Sequence, residues 1–362
     1  MLAAGMLAAI VLPASQMLGA VVIPTPGFRP EGLVVGPTGT QNLYVAGNTP
    51  ADVSTFVVIN TQFNTITATL TLRNLNAAGH PVDHGATTIA ENPDGTLVFV
   101  VNSVSADVSV INVATNTQIA TFSAPTIGPI PAGTRVSPDG KQLWTACLAG
   151  PPAFNNGTVN VTSIESLNFG TPLALINTGS SPNEVVFNSK GTVAYVQNGS
   201  TPTNTGFVDE VKVKNFHILR NDIGASHLNS PNPVSMAIAK DNATLYIGAD
   251  SADIVVLDVP TGDLEANIFM FPLEPPADQQ IGQVLLSPNN KFVAAAGTTL
   301  GAVTVASTKT KLQTEYIGLP AGAVPYFMAF SPNGSTLYVS NYNEAISPVG
   351  GLESITVITP AP

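Results

Sequence analysis

The residues best equipped for chemistry in this chain lie in one short run, His80-Pro81-Val82-Asp83-His84. Two imidazoles and a carboxylate within five residues offer nitrogen and oxygen donors to a divalent cation, and His227 offers a third imidazole. The same residues suit proton transfer. His80 or His84 would act as base, Glu31 as a neighbouring acid, and Arg29 or Arg220 would stabilise a developing oxyanion, with Arg73 in the same loop. Against both chemistries, the spacing matches no established metal motif and lies on no predicted helix. Loop residues of these types ordinarily cap turns. The expectation is therefore no catalytic set, with His80, His84, Arg29, Glu31 and His227 as the alternative. No metal is expected, and His80, Asp83 and His84 are the only candidates.

No cofactor is expected either. Cys147 is the single cysteine, which forbids an internal disulfide, a Cys-based zinc site and a Cys-x-x-Cys-His haem attachment. It alternates within the apolar run LWTACLA (143–149), the setting of a buried and inert thiol. One Trp makes a poor platform for a quinone. The sequence carries no Gly-rich phosphate loop between strand and helix, and no nucleophile elbow.

The elements that would position these groups come from an internal repeat. Turn signals recur as GPTG (36–39), NPDG (92–95), SPDG (137–140), NSKG (188–191), AKDN (239–242), SPNN (287–290) and SPNG (331–334). Six positions before each stand Pro30, Ala86, Pro131, Pro182, Pro233, Ile281 and Pro325, spaced about 49 residues apart. Each turn leads into an apolar β-prone run such as NLYVAGN (42–48) or LYVSNYN (337–343). An alternating run such as VSVIN (108–112) follows, and then a hairpin into a fourth strand such as NTITATLTL (64–72). Four strands per period of this length make a propeller blade. The seventh unit stops at its third strand, ITVIT (355–359), and AVVIPTPGFRP (20–30) reads as the missing fourth. The predicted fold is all-β: a seven-bladed propeller over 20–362, closed by its own N-terminal strand, which removes an exposed edge.

These units resemble the YVTN β-propeller repeat family, whose period runs from Pro through Ser-Pro-Asp-Gly to Leu-Tyr-Val-x-Asn and Val-Ser-Val-Ile-Asp. The resemblance covers roughly 20–362, and blades three and four depart from it most. It implies the fold. For function it implies either a surface or periplasmic binding protein or a relative of lactonase- and lyase-type propellers, so fold alone does not choose.

Strand order separates two faces. The first-to-second and third-to-fourth turns are short, whereas the opposite face carries long connections such as 73–84, 148–157, 220–233 and 269–280. Recognition is expected on that face. The residues following each repeat proline position, namely Glu31, Thr87, Ala132, Asn183, Val234, Gly282 and Tyr326, are expected to ring the channel. Only one is charged, which argues against acid–base work there. Thr87, Asn183 and Tyr326, together with Phe269, Met270 and Phe271 of an apolar loop, form the expected binding face. His217 is placed on an outer strand.

Only 10% of residues are charged, and the formal net charge is −11. No basic run could grip phosphates, so nucleic acid is excluded as a partner. The first 19 residues are apolar and uncharged, as in a signal peptide or an N-terminal anchor, although no basic residue precedes them. The chain is expected to be exported. A protein partner or self-assembly is expected, with membrane or cell-surface association through the apolar N-terminus.

Overall fold

The computed structural model describes residues 20–51, 53–72, 85–123, 130–148, 157–199, 206–225, 227–228, 233–249, 253–270, 280–341 and 353–359. Among the described residues, twenty-eight strands form seven four-stranded antiparallel sheets, arranged as a β-propeller. In blade 1 these are β2 (Arg29–Val35), β3 (Asn42–Asn48), β4 (Ser54–Asn60) and β5 (Thr65–Thr71). Blade 2 has β6 (Ala86–Glu91), β7 (Leu97–Asn102), β8 (Asp107–Asn112) and β9 (Thr117–Ser123). Blade 3 has β10 (Pro131–Val136), β11 (Gln142–Cys147), β12 (Thr158–Ser163) and β13 (Pro172–Asn177). Blade 4 has β14 (Pro182–Phe187), β15 (Val193–Asn198), β16 (Phe207–Lys212) and β17 (His217–Ile223). Blade 5 has β18 (Pro233–Ile238), β19 (Thr244–Ala249), β20 (Asp253–Asp258) and β21 (Leu264–Phe269). Blade 6 has β22 (Ile281–Leu286), β23 (Phe292–Gly297), β24 (Ala302–Ser307) and β25 (Gln313–Gly318). Blade 7 joins β26 (Pro325–Phe330), β27 (Leu337–Asn341) and β28 (Ser354–Ile358) to the N-terminal β1 (Ala20–Pro24), which pairs with β28 from Ala20↔Ile358 to Pro24↔Ser354.

The burial pattern follows from blade stacking. Second and third strands are covered on both faces by neighbouring blades, so β3, β7, β11 and β19 are buried nearly throughout and read as unbroken apolar runs. Fourth strands lie at the rim and alternate instead. Seven buried clusters each draw on two adjacent blades. One, for example, joins Tyr44, Phe56 and Val58 of blade 1 to Ile89, Val98 and Val100 of blade 2. The core is thus a ring of interfaces between blades.

The Asn that closes several second strands has a clear task. Asn102 Nδ2 donates to Asp107 Oδ1 (2.7 Å) and Ser109 Oγ (3.0 Å), and Asn198 Nδ2 donates to Asp209 Oδ2 (3.0 Å). Asn341 Nδ2 donates to Ser354 Oγ and Thr356 Oγ1. Each pins the start of the third strand, and a buried amide left unmade would cost about 1–3 kcal/mol.

The repeated turns also lock blade to blade. A turn's second residue meets the fourth residue of the next blade's turn, which sits at positive φ. Where the second residue is proline, the fourth is glycine. A Cβ on Gly140 would lie 3.4 Å from the Pro93 ring, one on Gly191 3.3 Å from Pro138, and one on Gly334 3.3 Å from Pro288, while Gly95 lies against Pro37. Where the second residue keeps an N–H, the fourth is asparagine. Ser189 N donates to Asn242 Oδ1 (2.6 Å), and Lys240 N donates to Asn290 Oδ1 (3.3 Å). Asn tolerates the left-handed backbone better than other side chains, here at φ 62° and 60°. At the closure between blades 7 and 1, a Cβ on Gly39 would meet nothing within 4 Å.

Candidate functional site

The seven first strands surround a central cavity of about 620 Å³. Each begins with an irregularity in its ladder to the second strand, for example between Pro131 and Gly133 and between Pro182 and Glu184. This inserts an extra residue after the repeat position and resets which side chains face inward. Ala132, Asn183, Val234, Gly282 and Tyr326 line the cavity as expected, whereas Glu31 and Thr87 are not among its lining residues. Glu91, Arg135 and Glu184 do line it. The expectation of a ring with a single charge is corrected accordingly.

These lining groups hold blades together. Arg135 Nη2 pairs with Glu184 Oε1 at 2.8 Å and its Nε donates to Val185 O, joining blades 3 and 4. Glu184 Oε2 then accepts the Met236 N–H of blade 5 at 2.8 Å. The equivalent residues of the next two blades repeat the bond: Ser235 Oγ accepts from Val284 N (3.1 Å), and Gln283 Oε1 accepts from Met328 N (2.5 Å). In blades 1 and 3 this position is glycine, and the backbones themselves approach. A Cβ on Gly32 would lie 2.8 Å from Thr88 Cα, and Gly133 abuts the Asn183 carbonyl. From blade 3 to blade 7 the inner strands, which would otherwise present bare edges to the channel, are laced side chain to backbone.

Glu91 differs. It ends β6, and its Oε1 is enclosed with no hydrogen-bond partner. Burial, reinforced by the charge of Asp94, pushes its carboxyl up to about 7.

The other expected residues are scattered. Arg29 opens β2 and donates to Pro50 O, and Glu31 accepts from Asn48 Nδ2 at 2.8 Å. Thr87 Oγ1 lies 2.8 Å from Ser103 Oγ, which donates to Pro131 O and bridges blades 2 and 3. Asn183 Nδ2 donates to Pro233 O, and its buried Oδ1 has no partner. Tyr326 packs edge-on to Phe327 at the cavity wall. His227 lies in the turn after β17, partly exposed, and His217 is exposed at the start of that outer strand. Arg220 is also on β17. It pairs with Glu210 at 2.7 Å and donates to Val259 O and Pro260 O, so it ties blades 4 and 5 at the rim, away from the first strands that line the channel, and cannot serve an oxyanion there. His80, Asp83, His84, Arg73 and Phe271 lie outside the described residues.

Two further expectations are resolved by strand parity. Phe269 is 70% exposed, but Met270 is 0% exposed and packs in the cluster between blades 5 and 6. Met270 is therefore a core residue and not part of a binding face. Cys147 is buried, and burial pushes its thiol up to about 12 despite the amide of Asn160. Among the described residues no group of three or more His, Cys, Asp or Glu could hold a metal ion, and no helix is long and apolar enough to cross a membrane.

No protein-family model matches the chain, and no curated protein sequence matches it. Among solved structures it is similar to the Kuenenia stuttgartiensis hydrazine synthase, with a TM-score of 0.72 over 94% of this chain and 97% of that one. Their 17% identity makes this a likeness of fold alone, that of a seven-bladed β-propeller.

Proposed function

We propose that this chain is an exported, non-enzymatic propeller of the YVTN repeat type, which binds or assembles through its long-loop face or its blade edges. The observation that carries this reading is the ion pair of Arg135 and Glu184. An acid–base site needs a charged group free to meet substrate, and these two are engaged in bonds between blades 3, 4 and 5. The long connections that strand order assigns to one face support the same reading, because loops held by a rigid scaffold are where recognition concentrates.

One observation favours a lactonase- or lyase-type reading as the alternative: Glu91 is among the residues lining the channel, and its carboxyl, with Oε1 enclosed beside the turn at Gly95, sits near neutrality, a useful value for proton transfer. A single experiment separates the two. Purified chain is assayed against a panel of lactones, and in parallel for capture of partners from its native source, with Glu91→Gln, His84→Ala and Tyr326→Ala variants. The proposal expects no turnover, and capture that Tyr326→Ala weakens. Turnover abolished by Glu91→Gln or His84→Ala would overturn it.

A further inference from the structure

The two faces of the propeller differ in charge, and lysine carries the difference. All eight lysines stand on the side of the short turns, six of them on blades 4 and 6: Lys190, Lys212, Lys214, Lys291, Lys309 and Lys311. The turns of these two blades contain no acid. The acids of the short turns, Asp94, Asp139, Glu165, Asp241 and Asp263, belong to blades 2, 3 and 5, as do Glu91 and Asp258 at strand ends on that side. Lys311 is paired with Glu265 at 3.4 Å, whereas among the described residues Lys190, Lys212, Lys214, Lys291 and Lys309 are exposed and bear no ion pair.

Apolar groups share this side. Large side chains stand at the tips of three third-to-fourth turns spread around the ring: Phe63 of blade 1 (68% exposed), Leu167 of blade 3 (94%) and Leu312 of blade 6 (66%). The chain also enters here. β1 is a fourth strand and starts from the short-turn side, with Ala20 opposite Ile358 at the end of β28. The 19 residues before Ala20, apolar and uncharged in sequence, therefore join the propeller on the lysine side.

We infer that the short-turn side is a membrane-docking face, laid on an anionic lipid surface with Phe63, Leu167 and Leu312 at the headgroups and the lysines of blades 4 and 6 against lipid phosphates. Three observations select lipid as the occupant. Apolar tips on three separate blades meet a plane and not a groove. The lysines complement negative headgroups. An apolar segment starts on the same side, and a hydrophobic insertion together with a basic patch holds a protein to a bilayer where either alone is marginal. An acidic protein would answer the lysines but neither the apolar tips nor that segment. The net charge of −11 does not oppose the contact. Acids at the long-loop ends, among them Asp222, Asp253 and Glu353, sit roughly 20 Å away across the strands, more than two Debye lengths of about 8 Å. Docking in this way leaves the long-loop face turned to the surroundings, so the inference stands beside the binding reading and does not rest on it.

The test is co-sedimentation of the full chain with vesicles of pure phosphatidylcholine and with vesicles holding about 30% phosphatidylglycerol. The expected result is binding at least about tenfold tighter to the anionic vesicles at about 0.15 M salt, a preference that disappears near about 1 M. Lys190→Gln with Lys214→Gln and Lys309→Gln is expected to lower that preference about fivefold for each lysine replaced. Phe63→Ser with Leu167→Ser and Leu312→Ser is expected to weaken binding to both vesicles, and Val104→Ser with Phe269→Ser on the opposite side to change neither. All are surface changes whose folding is checked by circular dichroism. Equal binding to the two vesicles overturns the proposal, as does a lysine variant that keeps the parent preference. Binding to soluble polyglutamate without binding to vesicles also overturns it, in favour of an acidic protein partner. Each outcome leaves the long-loop reading to its own test by capture and turnover.

Discussion

Blade junctions 4/5 and 5/6 break the proline–glycine pairing of the turns, and the way they break it yields a quantitative test. Replacing Asn242 by glycine removes two hydrogen bonds, Ser189 N to Asn242 Oδ1 and Asn242 Nδ2 to Ser189 Oγ. At an exposed site these contribute about 0.5–1 kcal/mol each. Glycine at φ 62° relieves about 1 kcal/mol of left-handed strain, so the single change is expected to cost about 0–1 kcal/mol. Ser189→Pro alone loses the donated N–H and sets its ring against the Asn242 side chain, at about 1–2 kcal/mol. Ser189→Pro with Asn242→Gly recreates the pairing found between Pro138 and Gly191 and should return to the parent stability or slightly above it, since proline also restricts the unfolded chain. The assay is a double-mutant cycle by urea denaturation, with an expected coupling of about 1–3 kcal/mol. Thermal midpoints are a weaker readout, because for a chain of this length about 1 kcal/mol moves them by only ~1.5 °C. Strictly additive single changes would refute the argument that the two turn residues are chosen as a pair.

Three further outcomes follow from the same interactions. Burial pushes the carboxyls of Asp209 and Asp253 up to about 6, and burial with the charge of Asp94 pushes Glu91 to about 7. Each holds its proton more tightly folded than unfolded, so the stability this confers is complete at low pH and declines as pH rises from about 4 to 7. The urea midpoint should therefore fall across that window, and fall less in Glu91→Gln. Met270→Ala should cost about 2–5 kcal/mol by leaving a cavity between blades 5 and 6, whereas Phe269→Ala should stay within about 0.5 kcal/mol, as read by the same denaturation assay. Arg220→Ala should destabilise by about 1–3 kcal/mol, and Arg220→Lys should recover only part of it, because a single ammonium cannot serve Glu210 and the Val259 and Pro260 carbonyls together.

The architecture was legible because the features that build a propeller are periodic. The proline positions mark the first strands, and the doubly covered second strands read as unbroken apolar runs. AVVIP at one end of the chain supplies the strand the other end lacks, and β1 does pair with β28. The channel was less legible, for a local reason. The cavity is lined along the length of the first strands and not only where they begin, so a prediction tied to the residue after the repeat position finds Ala132, Asn183, Val234, Gly282 and Tyr326 but misses Glu91, Arg135 and Glu184. Glu184, Ser235 and Gln283 each stand two residues after the repeat position, a recurrent polar site visible in the repeats themselves. By composition Phe269-Met270 reads as an apolar loop, which hides the core position of Met270. Strict alternation carried one residue past β21, with Ile268 in and Phe269 out, places Met270 in the core. Arg220 was assigned by residue type, and only the rim position of β17 shows that its partners are structural.

The central claim is that the charged pair in the channel holds blades together and does not act on a substrate. It is tested most directly by measuring the unfolding free energy of Glu184→Ala beside its turnover on the lactone panel and its partner capture. The account predicts a loss of about 2–3 kcal/mol, since Arg135 and the Met236 N–H both lose their acceptor, with capture retained by the folded variant and no turnover in either protein. Unchanged stability, together with the disappearance of an activity that the parent chain possesses, would contradict it.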